Sequence, residues 1–113
     1  MLDISPSIGP HGEHAALAAA VKQAVSVPVI AVNGMREVAR AEAALREGKC
    51  DLVALGRQLI ADAHWPTKVR DGRLGEIIAC TECSEACFGG LRRGVPIGCV
   101  NNPASGKEYL AQA

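Results

Sequence analysis

The chain is 113 residues long, with twelve basic and twelve acidic side chains and a formal net charge of zero. That balance leaves no electrostatic footprint for a nucleic-acid backbone or an anionic membrane, and the longest apolar run, residues 15–21, is far too short to span a bilayer. The length allows at most one small domain. An apolar fraction of 49% in which only Trp65, Phe88 and Tyr109 are aromatic suits helices packed on a buried parallel sheet, not a platform for stacking bases.

Residues 1–4 form a short apolar stretch, after which Pro6, Gly9, Pro10 and Gly12 mark a loop through residue 12. Leu17, Val21 and Val25 then recur four residues apart on an alanine-rich background, which predicts a helix over 13–25 with those three on its apolar stripe. The β-branched run 27–32, with Pro28 tolerated at its start, predicts a strand buried on both faces, ended by the turn signal Asn33-Gly34. A second helix is expected over 36–47, with Val38, Ala41 and Leu45 on one face and Gly48 as its stop. Residues 51–55 read as the next buried strand, 58–63 as a short helical turn, and 67–78 as a helical stretch interrupted at Asp71-Gly72. Helix, strand, helix, strand with short connections is a βαβ pattern with parallel strands. Two or three such strands are too few for a stable parallel sheet, so the chain reads as a slice of a larger barrel or open sheet.

Four of the five cysteines, Cys80, Cys83, Cys87 and Cys99, form a Cys-x2-Cys-x3-Cys-x11-Cys array. Three thiols within eight residues can converge from one tight turn, and Gly89, Gly90, Gly94, Pro96 and Gly98 let the chain double back with the fourth. Thiolates select soft metals, which leaves zinc or an iron–sulfur cluster. Zinc ribbons present two distant Cys-x2-Cys knuckles, whereas three closely spaced thiols and a single distant one suit a cubane. A disulfide framework needs a secreted protein, and no stretch resembles a signal peptide, so a cytoplasmic setting is expected. Cys50, opening a strand, reads as a small core residue.

The run Val27-Pro-Val-Ile-Ala-Val, the helix ending Leu45-Arg-Glu-Gly48, Asp51-Leu-Val-Ala-Leu-Gly-Arg57, Leu59-Ile-Ala-Asp62, Trp65-Pro66, Lys68, Arg70-Asp-Gly-Arg-Leu74, the four cysteines and Asn102-Pro103 together resemble the NADH:flavin oxidoreductase (old yellow enzyme-like) family. Within it the chain is similar to the iron–sulfur branch, which includes 2,4-dienoyl-CoA reductase and trimethylamine dehydrogenase. The resemblance covers residues 3–108 but only the last part of the family's FMN-binding domain. It implies an α/β fold that is the C-terminal part of a TIM (β/α)8 barrel: the last two to three βα units over 1–75, then an irregular [4Fe-4S] cysteine loop and tail over 76–113.

By the same resemblance, Cys80, Cys83, Cys87 and Cys99 ligate a [4Fe-4S] cluster that relays single electrons. Strand ends carry function in such barrels, and the loops after strands seven and eight commonly hold a phosphate. Asn33, Gly34, Met35, Gly56 and Arg57 stand at those ends here, and the implied ligand is the phosphate of FMN, with Arg57 supplying a charge-assisted fork. Many members have Gly-Arg or Gly-Gly where Asn33-Gly34 stands. The implied activity is NAD(P)H-dependent reduction of conjugated enoyl substrates of the 2,4-dienoyl-CoA type, with FAD and NAD(P)H belonging only to the full-length enzyme. Partners are thus the flavin and a small-molecule substrate, with no nucleic acid or membrane, and exposed sheet edges favour a homo-oligomer. The family's catalytic acid comes from earlier strands, so no catalytic residue is assigned. Of the histidines, His11 lies in the loop at the active-site end and is a candidate flavin or substrate contact. His14 reads as a surface residue, and His64 is expected to pack against Trp65-Pro66. Arg92 and Arg93 read as solvated charges rather than cluster hydrogen-bond donors. A small zinc-stapled α/β binding module without enzymatic activity is the competing reading of the cysteines.

Overall fold

The computed structural model describes residues 1–4 and 14–112. The loop expected around Pro6, Gly9 and Pro10, and with it His11, lies outside the described residues. Ten elements follow in order: β1 Leu2–Ile4, α1 His14–Ala24, β2 Val29–Val32, α2 Val38–Arg46, β3 Leu52–Ala54, α3 Arg57–Ala61, α4 Trp65–Arg70, a 3-10 turn Leu74–Glu76, α5 Phe88–Arg92 and a second 3-10 turn Glu108–Gln112. They fall into two compact units, Met1–Leu55 and Gly56–Ala113.

The first unit is a parallel sheet in the order β1-β2-β3, with Leu2 opposite Val29 and Ile30 opposite Leu52. Asp51 fixes the start of its central strand. One carboxylate oxygen accepts the Val29 N–H at 2.9 Å, the other meets Lys22 Nζ at 2.6 Å, and the Asp51 N–H returns to the Val29 carbonyl. The core is built of small side chains, namely Ala15, Ala18, Val29, Ala31, Ala41, Ala44 and Cys50, around the one long Met35. Short side chains let helix backbones approach the sheet closely, which is what an alanine-rich pair of helices on a β-branched strand achieves.

Four expectations for this unit are corrected. The buried line of α1 runs through His14, Ala15 and Ala18 to half-buried Val21 and Val25, while Leu17 is 49% exposed. A helix rotates about 100° per residue, so the stripe that includes Ala18 turns Leu17 outward. His14, expected at the surface, starts that buried line and is 2% exposed. In α2 the covered residues are Ala41 and Ala44, three apart, and Leu45 faces outward. Neither strand is buried on both faces: β2 buries Val29 and Ala31 but leaves Ile30 and Val32 half-covered, and Leu52 of β3 is 44% exposed. Among the described residues β3 is a sheet edge, with no further strand beside it. The stop after α2 is as expected. Gly48, at φ +70, lets its own N–H reach the Leu45 carbonyl and the Lys49 N–H reach that of Ala44, the paired bonds of a Schellman end.

The second unit is mostly irregular and is organised by side chains of the short helix α3 and the residue after it. Gln58 donates from Nε2 to the Ile78 carbonyl at 2.9 Å and accepts the Cys80 N–H at 3.0 Å. Asp62, buried, accepts from the N–H groups of His64 and Ile78 at 3.0 Å each and from Lys68 Nζ at 2.7 Å, and Lys68 also reaches the Glu76 carbonyl. The free carbonyls of α3 are used too: Asn102 donates to Ala61 at 2.7 Å and Ser105 to Ile60 at 2.6 Å. Both ends of the cysteine segment are thereby tied to one helix turn. His64, expected to pack against Trp65 and Pro66, is exposed and precedes α4.

Candidate cofactor site

Cys80, Cys83, Cys87 and Cys99 all line one half-open pocket in the second unit, together with Arg57, Ile60 and Asn101. Cys80 is buried, Cys87 and Cys99 are half-buried, and Cys83 is exposed. Cys99 is brought back to the other three by its own neighbours. Asn101 donates to the Ala79 carbonyl and the Thr81 hydroxyl at 3.1 Å each, the Gly98 N–H reaches the Ala86 carbonyl, and Cys99 and Asn102 pair in an isolated bridge. Among the described residues no group of three or more His, Cys, Asp or Glu side chains converges tightly enough to hold a single metal ion.

The Glu82 N–H donates to Cys80 Sγ at 3.4 Å. Glu82 and Ser84, on either side of Cys83, both adopt left-handed backbone with φ +60 and +59. For side-chain-bearing residues that conformation costs about 1–2 kcal/mol each. Arg57 touches both: Nη1 donates to Ser84 Oγ at 3.1 Å and Nη2 lies 3.8 Å from Glu82 Oε1. The guanidinium also stands 5.8 Å from the centre of the Phe88 ring.

The sequence-derived flavin residues divide between the two units. Asn33 and Gly34, after β2, both have positive φ, 76 and 69, the tight turn that Asn-Gly accommodates. Met35 is 2% exposed and its side chain belongs to the core, so only its backbone faces other roles. Gly56 caps α3 and Arg57 opens it. Cys50 is buried in the first unit as expected, and burial pushes its thiol up, away from thiolate chemistry. Arg93 donates weakly to the Glu85 carbonyl at 3.4 Å. At Asp62, burial acts to raise the carboxyl's pKa, but the Lys68 hydrogen bond, the Ile78 and His64 N–H groups and the Lys68 charge outweigh it and hold it below the usual range.

Sequence reasoning did not assign Gln58, Asp62, Glu82, Ser84 or Asn101.

The model of the NADH:flavin oxidoreductase / NADH oxidase family matches residues 9–76, more than half of the chain. The chain belongs to this family. It is 41% identical over 106 residues to an NADH oxidase of Thermoanaerobacter brockii, covering 93% of this chain and 16% of that protein. A cinnamate reductase of Clostridium sporogenes is 36% identical over 88 residues, 78% of this chain and 13% of the relative. Among solved structures, a 2-naphthoyl-CoA reductase in complex with 2-naphthoyl-CoA superposes with a TM-score of 0.84 at 33% identity, covering 89% of this chain and 16% of that one. The chain therefore spans about one-eighth to one-sixth of the length of these relatives, and its α/β fold is that of its oxidoreductase family.

Proposed function

We propose that this chain is the part of an FMN- and [4Fe-4S]-dependent oxidoreductase that carries the last βα units of a TIM barrel over 1–75 and the cluster loop over 76–113. The observation that carries the cluster reading is that four cysteines spread over twenty residues line one pocket. The donor set fits the group. A single zinc at about 2.3 Å from each sulfur draws its thiolates to about 3.8 Å from one another. A cubane binds each cysteine to a different iron, so four cysteines lining one pocket could each ligate one corner.

The cluster would supply one-electron transfer. The chain's own residues do the positioning. Gln58 fixes the Cys80 backbone, the Glu82 N–H donates to Cys80 Sγ, and Asn101 and Asn102 return Cys99 to the pocket. For the flavin, Asn33, Gly34 and Met35 would offer backbone at the end of β2, and Gly56 with Arg57 would meet the phosphate in the complete enzyme. A guanidinium has five N–H donors, so contacts to Ser84 and Glu82 leave others for a phosphate oxygen. The substrate class supported best is a conjugated enoyl compound. Relatives are named cinnamate reductase and 2-naphthoyl-CoA reductase, and both names denote unsaturated acyl compounds. FAD, NAD(P)H and the catalytic acid would come from outside this chain, and the setting proposed is cytoplasmic.

Anaerobic purification tests the reading. A brown protein with about four irons and four acid-labile sulfides per chain is expected. A colourless protein with one tightly held zinc would replace it with the zinc-stapled module.

A further inference from the structure

We infer that Arg57 is the positioning residue of the Cys83 corner of the pocket, holding Glu82 and Ser84 in their left-handed conformation and setting a fixed positive charge beside the cysteines. This rests on the cluster reading above. Cys83 is the one exposed cysteine of the four, and it alone is flanked on both sides by left-handed residues that are not glycine. Such a conformation persists only where its surroundings over-determine it. The surroundings here include the guanidinium of Arg57, with one terminal nitrogen on Ser84 Oγ at 3.1 Å and the other 3.8 Å from Glu82 Oε1, while the Phe88 ring stands 5.8 Å away. A rigid planar fork suits that task, because its donors are held in a fixed geometry.

Arg57 also relates Cys83 to the rest of the pocket. It is the first residue of α3, and the next residue, Gln58, holds the Cys80 N–H. Two of the four cysteines are thus set by two successive residues of one helix turn. The charge has its own consequence, because Arg57 lines the same pocket as the four thiols. A thiolate-bound cluster becomes more anionic when it takes up an electron. A nearby cation therefore favours the reduced form and raises the potential.

The test uses the 113-residue chain reconstituted anaerobically with iron and sulfide, without FMN, so that no effect can pass through flavin binding. Two properties are read: the survival of visible absorbance under EDTA, and the midpoint potential. Arg57→Ala and Ser84→Ala should each shorten survival by about tenfold or more. Arg57→Ala should also move the potential negative, whereas Ser84→Ala, which keeps the charge, should move it little. Arg70→Ala, removing an exposed partner of Asp71, should change neither. A folded Arg57→Ala variant with wild-type survival and potential overturns the inference. Should that variant fail to fold by circular dichroism, unaltered survival in Ser84→Ala overturns it instead. A wild-type chain that takes up no iron or sulfide is a different failure, that of the cluster reading itself.

Discussion

The Gln58 carboxamide closes a two-point clamp on the chain entering the cysteine pocket, accepting the Cys80 N–H at 3.0 Å while donating to the Ile78 carbonyl at 2.9 Å. Both partners are backbone groups that no strand or helix satisfies, so a side chain takes the place of a sheet neighbour.

Gln58→Leu keeps the bulk and removes both bonds. It strands a buried N–H and a carbonyl and should cost about 1–3 kcal/mol, read by chemical denaturation. Iron retention should fall with it, because Cys80 loses its anchor. Unchanged stability would mean that water replaces the amide without loss.

Asp62 gives the second unit a pH dependence with a definite sign. Its folded carboxyl lies below its ordinary value of about 3.9, so it binds fewer protons folded than unfolded in that range. The stability it contributes is full above the unfolded pKa and is lost as pH falls through the folded one. Acid unfolding of wild type should therefore steepen below about pH 4, and Asp62→Asn should flatten that limb while being less stable near neutrality. Parallel acid limbs in the two proteins would show that Asp62 does not report on folding.

Much of the architecture is legible in residue order. Val29, Ala31 and the 51–55 run announce parallel strands, and Asn33-Gly34 and Gly48 announce the turns that the positive φ angles bear out. The four cysteines announce a common pocket. What periodicity misjudged is which face is covered: a pattern built on the largest side chains selected Leu17 and Leu45, but a close-packed sheet admits Ala18 and Ala44 and turns the leucines out. The buried His14 escaped the same way, its polarity arguing for solvent when its register argued for the core. Gln58, Asp62, Glu82 and Ser84 were illegible for another reason. Apart from His64 and Lys68 on Asp62, the partners named for their side chains lie 16 or more residues away, and single-sequence patterns carry no signal for pairings at that distance.

Gly106 should resist substitution. It has φ +77, and a Cβ there would stand 2.6 Å from the Ile97 carbonyl oxygen, a backbone atom that cannot step aside. Gly106→Ala should lower stability by about 1–3 kcal/mol. Gly72→Ala, also at positive φ but with open space around it, isolates the conformational part and should cost less. Equal losses would assign the whole effect to φ.

Serine at Cys80, Cys83, Cys87 or Cys99 should lower bound iron and sulfide and bleach the visible absorbance, whereas Cys50→Ser, in the first unit's core, should leave the iron content unchanged. Full iron in the Cys83→Ser variant would remove that residue from the ligand set.

Catalytic residues in TIM barrels come from the ends of several different strands, and the described sheet has three. Its third strand is an edge with Leu52 exposed, and Leu17 and Leu45 on the helices are exposed as well. Unpaired strand edges and uncovered apolar side chains favour association with like surfaces. The isolated 113-residue chain should therefore take up its cluster, hold free FMN weakly or not at all, lack NAD(P)H-dependent enone reduction, and run on a sizing column as an oligomer or aggregate. Arg57→Ala should weaken FMN binding by about ten- to a hundredfold in the complete enzyme, where a charge-assisted contact to the phosphate is worth about 1.5–3 kcal/mol. In the isolated chain it should change flavin content little, as little is bound. A soluble monomer that retains stoichiometric FMN and oxidises NAD(P)H with a conjugated enone would mean that the strand ends present here suffice for the chemistry.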